Sequence, residues 1–252
     1  MRFASLGSGS KGNATLVQAE DTLLMVDCGF SLKETTRRLS LLGFEPQQLD
    51  AILVTHEHSD HCSGVARLSR KHDIPVYLTH GTDSSGRCDN CFSTQHINFV
   101  EHFSIGCLEV KAVAVPHDAK EPCQFRFYYN GKSLGLLTDL GSITPHVVDS
   151  YRACDALVLE LNHDQQLLQE GGYPHHLKHR VGGDWGHLNN MQAATLLEQV
   201  GHSILRYLVV AHVSENNNTR QHIERALLSV LPSLDDVVWA DQSVGFDWLA
   251  LD

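Results

Sequence analysis

The 252-residue sequence lacks any apolar run long enough to cross a membrane. A membrane-spanning helix needs about 18 to 20 consecutive apolar residues. The N-terminus also lacks the basic segment, apolar segment and small-residue cleavage site of a secretion signal. We therefore expect a cytoplasmic protein without membrane contact.

The cysteines lack the even number and the paired spacing of a disulfide framework. Seven are scattered along the chain, and Cys88 and Cys91 are the one close pair. No second pair follows at zinc-finger spacing, and no thioredoxin-like context surrounds this one. We predict free thiols, with Cys88 and Cys91 on a flexible loop. The alternative is a small structural metal site completed by Cys107, Cys123 or His80.

Positive charge is also scarce, since 19 Lys and Arg residues face 30 Asp and Glu residues and the formal net charge is -11. Non-specific binding to nucleic acid depends on Lys and Arg that displace counterions, so a generally basic DNA-coating surface is excluded. A polyanion would have to bind locally, where bound divalent cations can outweigh the acidic surroundings. The 17 histidines are the one strong compositional signal.

Residues 7–13, GSGSKGN, match the G-x-G-x-x-G pattern of dinucleotide-binding loops. In a Rossmann unit the third glycine opens a helix whose N-terminus meets the pyrophosphate. Here two strand-like runs, ATLVQA and TLLMVD, follow without a helix between them. We therefore expect no dinucleotide cofactor. A turn between two strands is predicted instead, either a plain tight turn or one whose backbone N–H groups hold a phosphate.

Hydrophobic periodicity predicts groups of strands with helices between the groups. The helices are expected near residues 31–42, 64–72, 144–153, 189–201 and 219–231. Ser31 and Glu34 have the spacing of a capping box, and Asn130-Gly131 is a strong hairpin signal. We predict one α/β (α+β) domain over residues 1–252, with two sheets face to face and helices outside. Residues 81–106 are expected to form an irregular surface excursion.

The segment THEHSDH, residues 55–61, follows the buried strand AILV and offers four potential metal ligands in six residues. In extended backbone, residues i and i+2 point the same way, so His56 and His58 converge. Asp60 and His61 follow in the turn. Imidazoles with a carboxylate form a ligand set for zinc, iron or manganese, and we favour this over a chance cluster of surface histidines.

Three more candidate ligands end predicted strands: His117 after AVAVP, Asp139 after LGLLT and His212 after YLVVA. Asp27, after TLLMV, is expected to accept a hydrogen bond from one of the ligands. Strand ends on one edge of a sheet sandwich can meet. Seven ligands are too many for one four-coordinate metal but suit two metals that share a bridging carboxylate and a bridging water.

The pattern H-x-H-x-D-H, followed by single His, Asp and His residues at strand ends, resembles the metallo-β-lactamase superfamily over essentially the whole chain. The resemblance implies an αββα sandwich of two mixed sheets with helices on the outer faces. It also implies two divalent metal ions, Zn or Mn with Fe as an alternative. One metal would be held by His56, His58 and His117, the other by Asp60, His61 and His212, with Asp139 bridging them.

Three further stretches are similar to the YycJ/WalJ branch of the superfamily, which resembles RNase Z and is implicated in DNA exonuclease activity. They are LELNHD at 159–164, GYPHHLKHR at 172–180 with GHLNN at 186–190, and HVSENN at 212–217. The branch implies that Glu160 and His187 orient each other and help to protonate the leaving oxygen. The sequence departs from the branch at Asn189, where Ser is more usual, and at Cys123 and Gln124.

The chemistry expected of this set is attack by a bridging hydroxide on a phosphoryl or acyl centre. His187 would protonate the leaving alkoxide, with Glu160 and Asp60 as its orienting carboxylates. The alternative for His187 is a solvated loop histidine. Substrate contacts are predicted for eight side chains, each with a turn-capping, structural or solvated role as its alternative: Ser8, Ser10, Asn13, His163, Lys178, Arg180, Ser214 and Asn217.

We expect a two-metal phosphodiesterase or exonuclease on nucleic acid, with single-stranded DNA favoured as substrate. A thioester or acyl hydrolase of the glyoxalase II type is the alternative enzyme, because the same seven ligands serve both reactions. A metal-dependent sensor or binding protein is the non-enzymatic alternative. Glu160 and His187 favour phosphoryl transfer over both.

Overall fold

The computed structural model describes residues 1–252, with 14 strands, nine α-helices and one 3-10 turn. The strands are β1 (Arg2–Gly7), β2 (Ala14–Ala19), β3 (Thr22–Val26), β4 (Ala51–Leu53), β5 (Pro75–Leu78), β6 (Ser93–His96), β7 (Phe103–Ile105), β8 (Leu108–Ala114), β9 (Cys123–Tyr129), β10 (Lys132–Leu137), β11 (Ala156–Glu160), β12 (Tyr207–Ala211), β13 (Val237–Trp239) and β14 (Phe246–Ala250). The helices are α1 (Leu32–Leu41), α2 (Ser59–Cys62), α3 (Val65–His72), α4 (His80–Asp83), α5 (Pro145–Tyr151), α6 (Gln165–Glu170), α7 (His175–Val181), α8 (Asn190–Val200) and α9 (Arg220–Leu227). No helix is both long and apolar enough to span a membrane.

The strands form two mixed sheets, and the chain divides into two compact units. Unit 1 comprises Met1–Ala114, Ala119–Lys132 and Ala240–Asp252. Unit 2 comprises Val115–Asp118 and Ser133–Trp239.

Unit 1 contains a seven-stranded sheet in the order β14-β1-β2-β3-β4-β5-β6. The pairs from β14 to β3 are antiparallel and those from β3 to β6 are parallel. Every residue of β3 and β4 is buried, as expected for strands covered on both faces. The unit also contains the antiparallel strands β7, β8 and β9.

Helix α1 of unit 1 begins at a cap that the sequence predicts. The Ser31 hydroxyl accepts a hydrogen bond from the Glu34 N–H at 3.3 Å and caps the helix, as predicted. Glu34 pairs with Arg37 and Arg38 rather than completing the capping box. The helix buries Leu39 in the core.

Unit 2 is built on the parallel strands β10, β11, β12 and β13. Each residue of β11 is buried, and its sequence ALVLE ends in Glu160. Helix α8 follows Asn189, whose side-chain oxygen accepts from the Gln192 N–H at 2.9 Å. The parallel order brings the carboxyl ends of β10, β11 and β12 to one edge, where ligands usually bind in such sheets.

Two stretches differ from the prediction. Residues 81–106, expected to be irregular, contain helix α4 and strands β6 and β7, and Cys88 is buried rather than on a flexible loop. Between β11 and α8, where no helix was predicted, the chain forms α6 and α7. Strand STQH has no buried residue and α7 has none either, so neither shows the apolar periodicity on which sequence prediction depends.

Candidate metal centre and catalytic pair

Three predicted site residues lie within two residues of a strand end and have left-handed backbone conformations. Asp27 follows β3 with φ 61°, Asp139 lies two residues after β10 with φ 55°, and His212 follows β12 with φ 49°. Non-glycine residues seldom adopt positive φ, which costs of order 1 to 3 kcal/mol and clusters at functional sites. The turns therefore hold these three side chains in place at the expense of local strain.

Backbone contacts in unit 1 fix the segment that carries Asp60 and His61. The Asn13 N–H donates to the Asp60 carbonyl at 2.8 Å, and the Cys28 N–H donates to the His61 carbonyl at 2.7 Å. Gly29 allows this close approach, because a Cβ there would lie 1.8 Å from the Asp60 carbonyl oxygen. Helix α2 is thus held directly against the end of β3.

A buried network centred on Asp27 orients two of the predicted ligands. The Thr55 N–H and hydroxyl donate to the two Asp27 carboxylate oxygens, each at 2.8 Å. His61 Nδ1 lies 2.8 Å from Asp27 Oδ2, and His56 Nδ1 lies 2.9 Å from Thr55 Oγ1. Because the Thr55 proton is given to Asp27, Thr55 accepts from His56 Nδ1–H. In the neutral form of each imidazole, Nε2 is then the nitrogen without a proton.

The Nε2 atoms of this network face other predicted ligands. His56 Nε2 lies 3.0 Å from His58 Nδ1, and His61 Nε2 lies 3.5 Å from Asp60 Oδ2. His56 and His61 are buried, and burial also raises the pKa of Asp27 while His61 opposes that rise. This matches metal sites in general, where a ligand imidazole donates its other N–H to a carboxylate, hydroxyl or carbonyl.

In unit 2, His117 has the same type of support. His117 Nδ1 lies 3.0 Å from the Gly186 carbonyl oxygen, which can only accept, so Nδ1 carries the proton. His117 Nε2 lies 3.9 Å from Asp139 Oδ1, and His212 Nδ1 lies 3.1 Å from Asp139 Oδ2. Asp139 is therefore the common neighbour of the two histidines, as a bridging carboxylate would be.

Glu160, at the end of β11, is fully buried and accepts hydrogen bonds from three backbone N–H groups. Oε1 accepts from Leu140 at 2.7 Å and from Leu188 at 3.1 Å, and Oε2 accepts from Asp139 at 3.0 Å. The carboxylate thus joins the backbone of a predicted ligand to the backbone beside His187. Such bonds to a charged acceptor are among the stronger ones in proteins.

His187 completes this arrangement with a side chain that is 19% exposed. Its Nδ1 lies 3.1 Å from Glu160 Oε2 and 3.7 Å from Asp139 Oδ1. Burial opposes the charged imidazolium, but the hydrogen bond to Glu160 and the charges of Glu160, Asp139 and Asp118 outweigh it and raise the pKa of His187 to about 9. The pair can therefore hold a proton on His187.

The donor set fits divalent metal ions. In unit 2, Asp139, His187 and His212 form a group of three whose potential ligand atoms lie within 4.8 Å of one another. Imidazole nitrogens and carboxylate oxygens suit zinc and manganese, and the supported Nδ1 atoms described above leave Nε2 for the metal.

The turn at residues 7–13 joins β1 to β2, and its N–H groups are largely used inside unit 1. The N–H groups of Gly9 and Gly12 are bonded within the turn, and that of Ser8 reaches the Asp241 carbonyl. The Asn13 amide bonds Gly9 and lies 3.2 Å from His61 Nε2. The turn therefore lies beside a predicted ligand, with the Asn13 amide next to the nitrogen that would face a metal. Substrate contact by Ser8, Ser10 and Asn13 stays a prediction.

The other predicted substrate contacts lie in unit 2. Lys178 donates to the Gln169 carbonyl, and Arg180 pairs with Asp118. Ser214 Oγ accepts from the Asn217 N–H at 3.2 Å, which is the turn-capping arrangement. His163 and Lys178 line a common cavity of about 470 Å³. The structure thus brings two of these side chains to one cavity, and their contact with substrate stays a prediction.

Replacing His163 should reduce the acid sensitivity of the protein. Burial lowers the pKa of His163 from 6.5 to about 4. The unfolded chain binds a proton below about pH 6.5 whereas the native state does not until about pH 4, so stability falls over that range. Between about pH 7 and pH 5, wild type should lose about 2 kcal/mol more unfolding free energy than His163→Gln. Urea titrations at both pH values measure this, and equal losses would contradict it.

Sequence reasoning missed Thr55 and the Gly186 carbonyl as partners of ligand imidazoles. Thr55 adjoins the ligand motif, but threonine is common in strands and gives no separate signal. A backbone carbonyl has no sequence signature at all. The acceptor that directs the Thr55 hydroxyl is Asp27, 28 positions away, and the Gly186 carbonyl lies 69 positions from His117.

Comparison with known proteins gives a consistent family assignment. Residues 22–212 match the beta-lactamase superfamily domain. The chain is 32% identical over its full length to Exodeoxyribonuclease WalJ of Streptococcus pneumoniae, covering 93% of that protein. It is 34% identical to Exodeoxyribonuclease YycJ of Bacillus anthracis, with 92% of this chain and 89% of that protein covered.

Among solved structures, the metallo-beta-lactamase fold protein YhfI of Bacillus subtilis is similar, with a TM-score of 0.75 and 16% identity. The similarity covers 98% of each chain. It confirms the predicted fold of two mixed sheets with helices.

Proposed function

Because this chain belongs to the β-lactamase superfamily and has the metallo-β-lactamase fold, we propose that it is a two-metal phosphodiesterase that degrades DNA from an end. The Glu160–His187 pair carries this proposal, since it supplies a proton donor next to Asp139. The two relatives named as exodeoxyribonucleases support DNA as the substrate class. Single-stranded DNA is the proposed preferred form.

We propose that His56, His58 and His117 hold one divalent metal and that Asp60, His61 and His212 hold the other, with Asp139 shared. When bound, such metals supply Lewis acidity that activates a water molecule and polarises a phosphoryl oxygen. Asp27 and Thr55 keep the Nδ1 atoms of His61 and His56 protonated, so that Nε2 serves as the ligand atom. This support restricts the imidazoles to the tautomer that binds metal.

His187 is proposed to give a proton to the departing sugar oxygen. Glu160 accepts a hydrogen bond from His187 Nδ1–H and stabilises the imidazolium. The Nε2–H of His187 is then the proton donor. An alkoxide leaving group needs this proton far more than an acidic leaving group does. Asp60 would serve as a metal ligand, and its carboxylate oxygen lies 3.5 Å from Nε2 of the neighbouring ligand His61.

The proposal is tested with purified protein loaded with Mn²⁺ or Zn²⁺. We expect hydrolysis of bis(p-nitrophenyl) phosphate and progressive shortening of end-labelled single-stranded DNA. Labelled double-stranded DNA and RNA, assayed on the same sample, measure the preference among nucleic acids. Metal content is determined in parallel. A metal-loaded protein that is inert towards every phosphodiester but cleaves thioesters would instead establish the acyl hydrolase alternative.

A further inference from the structure

A cavity of about 520 Å³ in unit 1 lies between helix α2, helix α3 and residues 87–90. Its volume is within the range of about 300 to 1,000 Å³ that is usual for small-ligand sites. Three arginines, Arg67, Arg70 and Arg87, line it together with Ser59 and Cys62 of α2. This concentration of cations is unusual in a chain whose formal net charge is -11.

The positive charge of the cavity is not neutralised by ion pairs. The guanidinium groups of Arg67 and Arg87 form no hydrogen bond or ion pair with the protein. Arg70 donates to the Asn90 carbonyl at 2.8 Å, a neutral acceptor that leaves its charge intact. The one carboxylate in the lining is Asp89.

Elsewhere in the chain arginines are commonly paired with acids. Five of them form ion pairs with Asp or Glu side chains: Arg37, Arg38, Arg152, Arg180 and Arg220. In a protein with excess acid, three exposed arginines without a paired carboxylate make this cavity a local positive patch that attracts anions.

The spacing of the arginines suits phosphate groups. Arg67 and Arg70 are three residues apart on α3, which places their Cβ atoms about 5 to 6 Å apart on one face of the helix. Guanidinium groups bind phosphate oxygens through paired N–H donors and keep their charge at all accessible pH values. Arg87 comes from a separate segment, residues 87–90, which the bond from Arg70 to the Asn90 carbonyl holds to α3.

The cavity adjoins the segment that carries two predicted metal ligands. Ser59 and Cys62 line it, and Asp60 and His61 lie between them on α2. At 1.5 Å per residue this helix is about 6 Å long, so the residues that line the cavity and the two predicted ligands belong to the same helical turn.

We propose that this arginine cavity binds the sugar-phosphate backbone of the DNA strand being degraded. The inference rests on the proposed function and extends it, because it identifies where an acidic protein holds a polyanion. The cavity binds phosphates rather than bases, so binding is independent of sequence and depends strongly on salt.

The test compares Arg67→Gln/Arg87→Gln with a control that removes two charges elsewhere, Lys33→Gln/Arg225→Gln. Both control side chains are exposed. The probe is a fluorescein-labelled single-stranded phosphorothioate oligonucleotide, which resists cleavage, and anisotropy is recorded on metal-loaded protein between about 50 and 200 mM NaCl. The cavity variant should bind about tenfold more weakly. Its slope of log K against log salt should be shallower by about 1.4, because each phosphate that is no longer neutralised reduces the slope by about 0.7.

Arg67→Lys/Arg87→Lys keeps the charge and should recover most of the salt slope, which separates loss of charge from misfolding. Equal affinity and slope in wild type and the glutamine variant would overturn the inference, as would an equal loss of affinity in the control. Wild-type protein that fails to hydrolyse any phosphodiester contradicts the proposed function alone, because the binding data are obtained independently of turnover.

Discussion

Replacing His187 with alanine should lower kcat for DNA by about 10²- to 10⁴-fold, the range that general acid–base catalysis contributes. The physical reason is the lost proton donor at Nε2, whose charged form the hydrogen bond from Nδ1 to Glu160 stabilises. Metal content should stay at the wild-type level, because the seven proposed ligands are intact. Metal analysis and initial rates on the same preparation measure both quantities.

The loss of rate in His187→Ala should depend on the leaving group of the substrate. A p-nitrophenolate leaving group is stable without a proton, so bis(p-nitrophenyl) phosphate should lose much less rate than DNA in His187→Ala. His176→Ala, at an exposed position of α7, is the matched control and should change neither rate. Loss of metal from His187→Ala would instead identify His187 as a ligand, and equal losses on both substrates would contradict its role as proton donor.

Replacing Glu160 with alanine should destabilise the protein by about 4 kcal/mol. The substitution leaves the buried N–H groups of Asp139, Leu140 and Leu188 without their acceptor. Each unsatisfied buried donor costs about 1 to 3 kcal/mol, and losses above about 4 kcal/mol are exceptional for single substitutions. Urea unfolding in excess chelator measures the change without a contribution from bound metal.

Two further variants provide comparisons for the loss of stability in Glu160→Ala. Glu160→Gln keeps one acceptor oxygen and the side-chain volume, so it should cost about half as much as alanine. Glu170→Ala, at an exposed position, should lie within about 0.5 kcal/mol of wild type. A Glu160→Ala protein as stable as this control would show that the carboxylate does not anchor the surrounding backbone.

Much of the fold could be read from local sequence patterns. Helix α1 begins after its predicted cap at Ser31, and α8 begins after Asn189. Between β9 and β10, Asn130 and Gly131 both have positive φ, as a two-residue hairpin turn requires. These features depend on neighbours within a few residues, which is why the sequence reveals them. Strand β6 and helix α7 were not predicted, because they bury no residue and so have no apolar periodicity.

The sequence by itself determined the kind of chemistry available to this protein. The motif at residues 55–61 and single residues after apolar strands supply imidazoles and carboxylates, and residue type and strand period are local properties. Family resemblance added the pairing of Glu160 with His187, which the structure places 3.1 Å apart.

Only the tertiary structure decided how these groups are supported and where cations remain unpaired. The Thr55 hydroxyl donates to Asp27 and accepts from His56, so it links the two side chains. Glu160 accepts hydrogen bonds from three backbone N–H groups. Arg67, Arg70 and Arg87 line one cavity although 20 residues separate the first from the last. Hydrogen bonds and unneutralised charge depend on distances between segments remote in sequence, and folding alone sets those distances.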